Sequence, residues 1–242
     1  MEKEIDNWYQ RTEMALGKEA VEKLRSASVL VVGLGGVGAW AAEMICRAGV
    51  GTMTIVDGDT VNSTNRNRQL LALKSTEGRS KAVIMGERLL DINPELKLTI
   101  VNEFLRDERL REVVTAGYDY VVDAIDTLSP KTFLISTTLN HGMPLVSSMG
   151  AGGRLDPHKV IVADISETYN CSLARVVRKR LAKLGIRQGF RAVFSPEDIE
   201  KERVVATDGE IFKASAVGTI SYMPAAFGIA CASVVIRDLT GR

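Results

Sequence analysis

The 242-residue chain is poor in cysteine, histidine and aromatic side chains, with three, two and 5% respectively. Cys46, Cys171 and Cys231 lie too far apart for any C-x-x-C pair, and their odd number argues against a disulfide framework. A reduced, cytoplasmic setting is expected. His141 and His158 have no metal-like spacing. Net charge is nearly absent as well, with 31 basic against 30 acidic residues. That excludes a molecule that is basic all over, so a nucleic-acid or membrane partner must be met by a local patch. The N-terminus lacks the charged-then-apolar order of a signal peptide. A 23-residue run without charge, Ala214 to Ile236, is long enough to span a bilayer. Ser215, Thr219, Ser221, Ser233 and a central Pro224 make it weakly hydrophobic. It is expected as a buried element packed on the core, with no stable membrane insertion.

What the chain does have is 45% apolar residues, and at this length about 70–75% of the unfolded surface is buried on folding. A core therefore closes without disulfides or a structural metal. The first half alternates short apolar runs with longer helical patterns, the signature of repeated βα units around a mainly parallel sheet. Strands are expected at Ser28 to Val32, Thr52 to Val56, Lys97 to Val101, Tyr118 to Val122, Leu145 to Ser148 and Val160 to Ala163. Helices are expected at Gly36 to Ala48, Lys81 to Ile92, Lys131 to Asn140 and Ser172 to Leu184. The apolar face of the last carries Leu173, Val176, Val177, Leu181 and Leu184. The polar stretch Ser195 to Glu210 is expected as a mobile connection.

The chemistry centres on Gly33-Leu34-Gly35-Gly36-Val37-Gly38, a G-x-G-x-x-G between a strand and a helix. Gly33, Gly35, Gly36 and Gly38 let the backbone approach a phosphate, which the helix N-terminus attracts. Asp57, ending the second strand, is placed to accept from ribose hydroxyls. NAD and ATP both fit so far. Asp59, Asn65, Arg68, Gln69 and Lys81 then form a polar set that a neutral nicotinamide does not need, whereas a triphosphate does. Arg66 or Arg68 reading the 2′-phosphate of NADP is the competing explanation, against which Asp57 would repel that phosphate. Surface pairing with Asp57 and Asp59 is the other. Asp126, ending the Val121-Val122-Asp123 strand, suits Mg²⁺ held between one carboxylate and phosphate oxygens. It also suits capping of the following helix.

These motifs together resemble the ubiquitin-activating-like superfamily of ATP-dependent adenylating enzymes, which includes the bacterial MoeB, ThiF and HesA proteins. Arg11-Thr12, Ala39 to Glu43, Asn65 to Gln69, Asp91 to Glu95, Tyr120 to Asp126 and Gly150 to Gly153 look most like the branch acting on threonylcarbamoyladenosine in tRNA. The resemblance covers Arg11 to about Ala163. It implies a Rossmann-like doubly wound fold with a mixed C-terminal extension. The implied reaction is ATP-dependent activation of the threonylcarbamoyl carboxylate at tRNA position 37, then ring closure with loss of water. The glycines would hold phosphates, Asp57 the ribose and Asp126 Mg²⁺, while Asn65, Arg68 and Lys81 would stabilise triphosphate charge. The family implies a homodimer in which Arg11 reaches the neighbouring nucleotide, and it leaves room for sulfur-relay partner proteins. One ThiF-like unit is implied over 1–242. Residues 1–27 would form a helical arm, 28–163 the nucleotide core, 164–213 a basic helix and connection, and 214–242 the apolar element.

Activators of ubiquitin-like proteins usually carry two C-x-x-C zinc pairs, and this chain has only Cys171 near the first. Cys171 is either an acyl acceptor or a plain helix-start residue. Adenylation of a small sulfur-carrier protein remains an alternative, as does an NAD(P)-dependent oxidoreductase. For tRNA, seven basic residues and no acidic one lie between Thr168 and Pro196. Arg175, Arg178, Lys179 and Lys183, extended by Arg187, are expected opposite the apolar stripe, either to neutralise RNA phosphates or as an ordinary solvated face. Arg154 is placed to approach the substrate adenosine or its carboxylate.

Overall fold

The computed structural model describes residues 8–200, 204–206 and 215–242. Its centre is a seven-stranded sheet built from β1 (Ser28–Val32), β2 (Thr52–Val56), β3 (Lys97–Val101), β4 (Tyr120–Asp123), β5 (Leu145–Ser148), β6 (Ile161–Asp164) and β7 (Arg191–Phe194). The spatial order is β3-β2-β1-β4-β5-β7-β6, parallel throughout except for β6, which runs antiparallel to β7. Strand order reverses between β1 and β4, and ligands in such sheets bind outside the carboxyl ends at that switch.

The apolar runs are continuous because both faces are covered. Val29, Val31, Met53, Ile55, Val122 and Val146 point into one core, with the helices α2 (Lys18–Ser26), α3 (Gly38–Arg47), α4 (Lys81–Ile92) and α8 (Tyr222–Thr240). Leu30, Val32, Val56, Val121 and Leu145 point into the other, with α5 (Asp107–Val114), α6 (Leu128–Asn140) and α7 (Ser172–Ala182). This is the expected α/β architecture. From Tyr222 on, the charge-free C-terminal run lies in α8, which is long and apolar enough to cross a membrane by length and composition, yet half buried within the fold. Gly228 explains how closely it lies on α3: a Cβ there would sit 2.4 Å from the Val37 carbonyl and 2.7 Å from Trp40.

Several expectations shift. The helix after β4 starts three residues early, at Leu128, because Pro130 falls in its first turn, where a missing N–H costs nothing. The basic helix stops at Ala182, leaving Leu184 59% exposed rather than on the buried stripe. Two elements flanking the expected ones carry no clear sequence signal. α5 is short and mostly charged, and β7 is a four-residue run between a glycine turn and a polar stretch. β7 inserts beside β5 and pushes β6 to the edge. Of the expected mobile connection, Val204–Ala206 forms β8, antiparallel to β9 (Ser215–Val217). Residues 201–203 and 207–210 lie outside the described residues.

Candidate nucleotide site at the switch point

The four glycines of the loop do different work. Gly33 adopts φ +91°, and a Cβ on it would meet the Ala124 carbonyl at 2.8 Å. On Gly38 a Cβ would lie 1.7 Å from the Gly33 carbonyl, and on Gly36 it would press on Pro224 of α8 at 2.9 Å. These three let the loop fold onto itself and its neighbours. Gly35 is the open one, with only the Gln69 amide nitrogen near, at 3.9 Å. No side chain caps the N-terminus of α3. The Ala39 N–H is taken by the Gly35 carbonyl at 3.3 Å, and the other first-turn N–H groups are the donors that would attract an anion.

Asp57 ties this loop to β2. One carboxylate oxygen accepts from the Leu34 N–H at 2.6 Å and the other from the Asp59 N–H at 2.7 Å. Each oxygen keeps a lone pair for a ribose hydroxyl. Burial pushes the Asp57 carboxyl above the ordinary carboxylate value, opposed by the nearby charge of Lys81. Lys81 is almost fully buried and donates from Nζ to Asp59 at 3.0 Å. Asp59 thus serves first to aim Lys81.

The run after Asp57 returns to the same edge. The Asn65 side chain accepts from the Asn62 N–H at 3.1 Å, closing a tight turn. Arg68 donates to the Thr64 carbonyl and to Asn67, both at 2.9 Å, and its own carbonyl approaches Gly36. Gln69 carries a buried side-chain oxygen with no protein partner, beside Gly35. A buried acceptor left open is costly unless a ligand donor fills it.

Asp126 follows β4 as an exposed carboxylate at the carboxyl edge of the sheet. The helix it precedes is capped at Thr127, not Asp126, and without a side-chain bond. The loop leading to it is held from beneath by a buried ion pair that no local sequence pattern signals. Lys131 and Asp123, both fully buried, meet at 2.8 Å. Lys131 Nζ also donates to the Ile125 carbonyl at 3.0 Å and the Ser148 carbonyl at 2.7 Å, which uses all three of its protons. Asp123 accepts from the Ile125 N–H at 3.0 Å and the Ser147 hydroxyl at 2.6 Å. The clue was a lysine on the apolar face of a helix, readable only once that face is known.

The structure brings the glycine loop, Asp57, Asp59, Lys81, Arg68, Gln69 and the Asp126 loop to one edge. Arg11 is elsewhere. It lies on α1 (Gln10–Leu16), whose neighbour Tyr9 covers Arg25, and Arg25 pairs with Glu95 just before β3. That is the amino edge, a strand length or about 17 Å from the nucleotide edge. Arg154 is a correction. It is buried, donating to the carbonyls of Ser195 (2.8 Å), Gly152 and Asn170 (both 3.2 Å), so it ties three chain segments together instead of meeting a substrate.

On α7, Arg175, Lys179 and Lys183 form an exposed i, i+4 row, with Arg187 exposed beyond it. Arg178 folds back onto Thr168 and Arg180 onto Ser129, so neither belongs to the open row. Cys171 is buried at the start of α7. Burial pushes the thiols of Cys46 and Cys231 up to about 12, out of reach of thiolate chemistry.

The sequence model of the ThiF family matches residues 9–242. A relative from Bacillus subtilis (strain 168), tRNA threonylcarbamoyladenosine dehydratase, is 40% identical, covering 96% of this chain and 94% of that protein. The structure of E. coli tRNA N6-threonylcarbamoyladenosine dehydratase in complex with ATP matches with a TM-score of 0.89 at 34% identity, covering 97% of this chain and 94% of that one. The same E. coli protein in complex with AMP matches with a TM-score of 0.87 at 34% identity and the same coverage.

Proposed function

Because this chain belongs to the ThiF family, we propose that its nucleotide site serves a single RNA reaction: ATP-dependent cyclisation of threonylcarbamoyladenosine at tRNA position 37. The observation that carries this is the open Gly35 and uncapped α3 N-terminus facing Arg68 and Gln69, together with near-full-length likeness to tRNA threonylcarbamoyladenosine dehydratases, one of them solved with ATP.

A carboxylate resists attack until its oxygen becomes a leaving group. The threonylcarbamoyl carboxylate attacks the α-phosphorus of ATP, and pyrophosphate leaves. A nucleophile within the same group then attacks the activated carbonyl, AMP leaves, and the ring closes with net loss of water. Because that nucleophile is already tethered, effective concentration supplies much of the rate, and no acyl-accepting cysteine is needed. That agrees with Cys171 being buried.

The roles follow the geometry. Gly33, Gly35, Gly36 and Gly38 shape the phosphate loop, and Asp57 takes the ribose. Asn65, Arg68 and Lys81 offset triphosphate charge, with Lys81 aimed by Asp59. The buried Gln69 oxygen would receive a ligand donor. Asp126 fits Mg²⁺: among the described residues no three acidic, Cys or His groups cluster to hold an ion alone, so phosphate oxygens and water would complete its shell. The ion's contribution would be to neutralise charge on the phosphates. Arg11, on the far edge of its own chain, is suited to a neighbour's nucleotide in a homodimer. The cations of α7 would meet tRNA phosphates, in a cytoplasmic setting. Residues 28–163 would thus hold the nucleotide, 164–213 the RNA and 214–242 the wall of the phosphate loop.

The test is purified protein with threonylcarbamoyl-modified tRNA, ATP and Mg²⁺. The tRNA should lose one water, with AMP and pyrophosphate formed, and Asp126→Asn should lower the rate by about 100-fold or more. ATP binding without any mass change in the tRNA would overturn the reading. Pyrophosphate exchange stimulated by a diglycine-ended carrier protein would favour sulfur-carrier activation instead.

A further inference from the structure

In this sheet the nucleotide's place is set by Asp57 at β2 and the glycine loop after β1, so a second substrate must enter over the ends of β5 and β7. Two exposed aromatic rings stand at that end. Tyr222, 46% exposed, opens α8 and donates from its hydroxyl to the Leu155 carbonyl at 3.0 Å. Its position is fixed from three sides of the site. Two residues on, Pro224 backs Gly36 of the phosphate loop. Three residues back, the Thr219 carbonyl accepts from Asn67 at 2.9 Å. The adjoining Gly218 carbonyl accepts from the Gly153 N–H at 2.8 Å. Tyr169, 54% exposed, makes a T-shaped contact with buried Phe194 at the end of β7, with centroids 5.7 Å apart. The next residue, Asn170, holds φ +47° and gives its carbonyl to Arg154, which also binds the Gly152 carbonyl. Tyr222 and Tyr169 are thus tied to the two flanks of the same Gly150–Gly153 turn.

We propose that Tyr169 and Tyr222 are the stacking bed for bases of the RNA at the modified adenosine. This rests on the RNA reading above and names the contacts that reading lacks. An enzyme acting on a base attachment must take that nucleotide out of its stack, and aromatic faces are what receive unstacked bases without hydrogen-bond readout. The surroundings favour a nucleic acid over an apolar peptide. The row Arg175, Lys179, Lys183 begins six residues after Tyr169, with no ion-pair partner among the described residues, so cations for a phosphate backbone follow directly on the Tyr169 segment. An ATP-binding role for the rings is disfavoured because Asp57 draws the nucleoside toward β2.

The experiment compares wild type with Tyr222→Ala, Tyr169→Ala and the corresponding Phe variants on modified tRNA. Each Ala variant should raise KM for tRNA about ten-fold with KM for ATP unchanged, and each Phe variant should stay within about two-fold of wild type. Modified tRNA carrying 2-aminopurine beside the modified adenosine should change its fluorescence on binding wild type, and less with the Ala variants. Tm measurements separate lost stacking from lost folding, and the wild-type fluorescence stands whatever the variants do. Unchanged tRNA KM in both Ala variants, or no fluorescence change with wild type, overturns the proposal. So does a Tyr222→Phe defect as large as that of Tyr222→Ala, which would assign the residue to holding Leu155. Wild type that binds ATP but leaves the modified tRNA unaltered would refute the underlying function itself.

Discussion

The two halves of the sheet hold their edge loops by opposite means. Over β1 and β2 the backbone does most of the positioning: Gly33 and Gly38 fold onto each other, and Asp57 collects two N–H groups. Over β4, β5 and β7 buried charged side chains do it. Lys131 and Asp123 tether the loops after β4 and β5, and Arg154 joins the Gly150–Gly153 turn to Asn170 and Ser195. A loop that meets the same phosphates in every turnover can be built rigidly from adjacent residues. On the β4, β5 and β7 side the loops come from more distant segments, and each tether is a long side chain whose partners come together only on folding.

The largest effect that would break this contrast is expected at Gly38. Gly38→Ala forces a Cβ to within 1.7 Å of a carbonyl oxygen, and neither backbone can give way. ATP binding measured by calorimetry should be abolished; retained affinity would show that packing does not dictate the loop. Next comes Lys131→Met. It leaves Asp123 buried without its countercharge, at a cost of about 3–5 kcal/mol in denaturant unfolding. Lys131→Arg should recover part of this. If the Met variant is as stable as wild type, the tether over β4 and β5 carries no weight.

A smaller effect is expected on α7. Replacing Arg175, Lys179 and Lys183 together with Ala should lower the slope of log affinity for tRNA against log salt by about three, with ATP affinity unchanged. An unaltered slope would make the row a solvated face. The smallest is a pH effect at Asp57. Its carboxyl is raised by burial, so in the fold the ionised form is the costly one. Its contribution to stability is therefore lost as pH rises through its folded pKa. Nucleotide affinity moves the other way: on acidification from neutrality, ATP binding should weaken earlier than an ordinary aspartate would dictate. Asp57→Asn should bind ATP more weakly but with a flatter pH profile. A profile unchanged by that substitution would detach Asp57 from the nucleotide.

The legibility of the site follows the same division. β2, β3 and α4 lie at the residues expected from periodicity, and the glycine loop, Asp57 and Lys81 converge as their spacing implied. Arg154 was misread because its charge suggested a substrate, whereas three carbonyls from separate segments bury it. Arg178 was counted with the basic row because helical spacing does not reveal that Thr168 lies within its reach. β7 is hard to read because three apolar residues after an arginine carry no periodic signal, although β5 on one side and β6 on the other pair it on both edges.

By itself, the sequence determined the alternation of strands and helices, the phosphate loop and the acidic residue ending β2. Each depends on neighbours within a few residues, where backbone sterics and side-chain period act directly. Only the tertiary structure decided that Arg11 belongs to the far edge and that Lys131 supports the Asp126 loop. It alone placed Tyr169 and Tyr222 beside the same glycine turn. Those relations depend on segments that meet across the fold, as Lys131 does with Ser148 of β5, and they exist only once burial has fixed which faces meet.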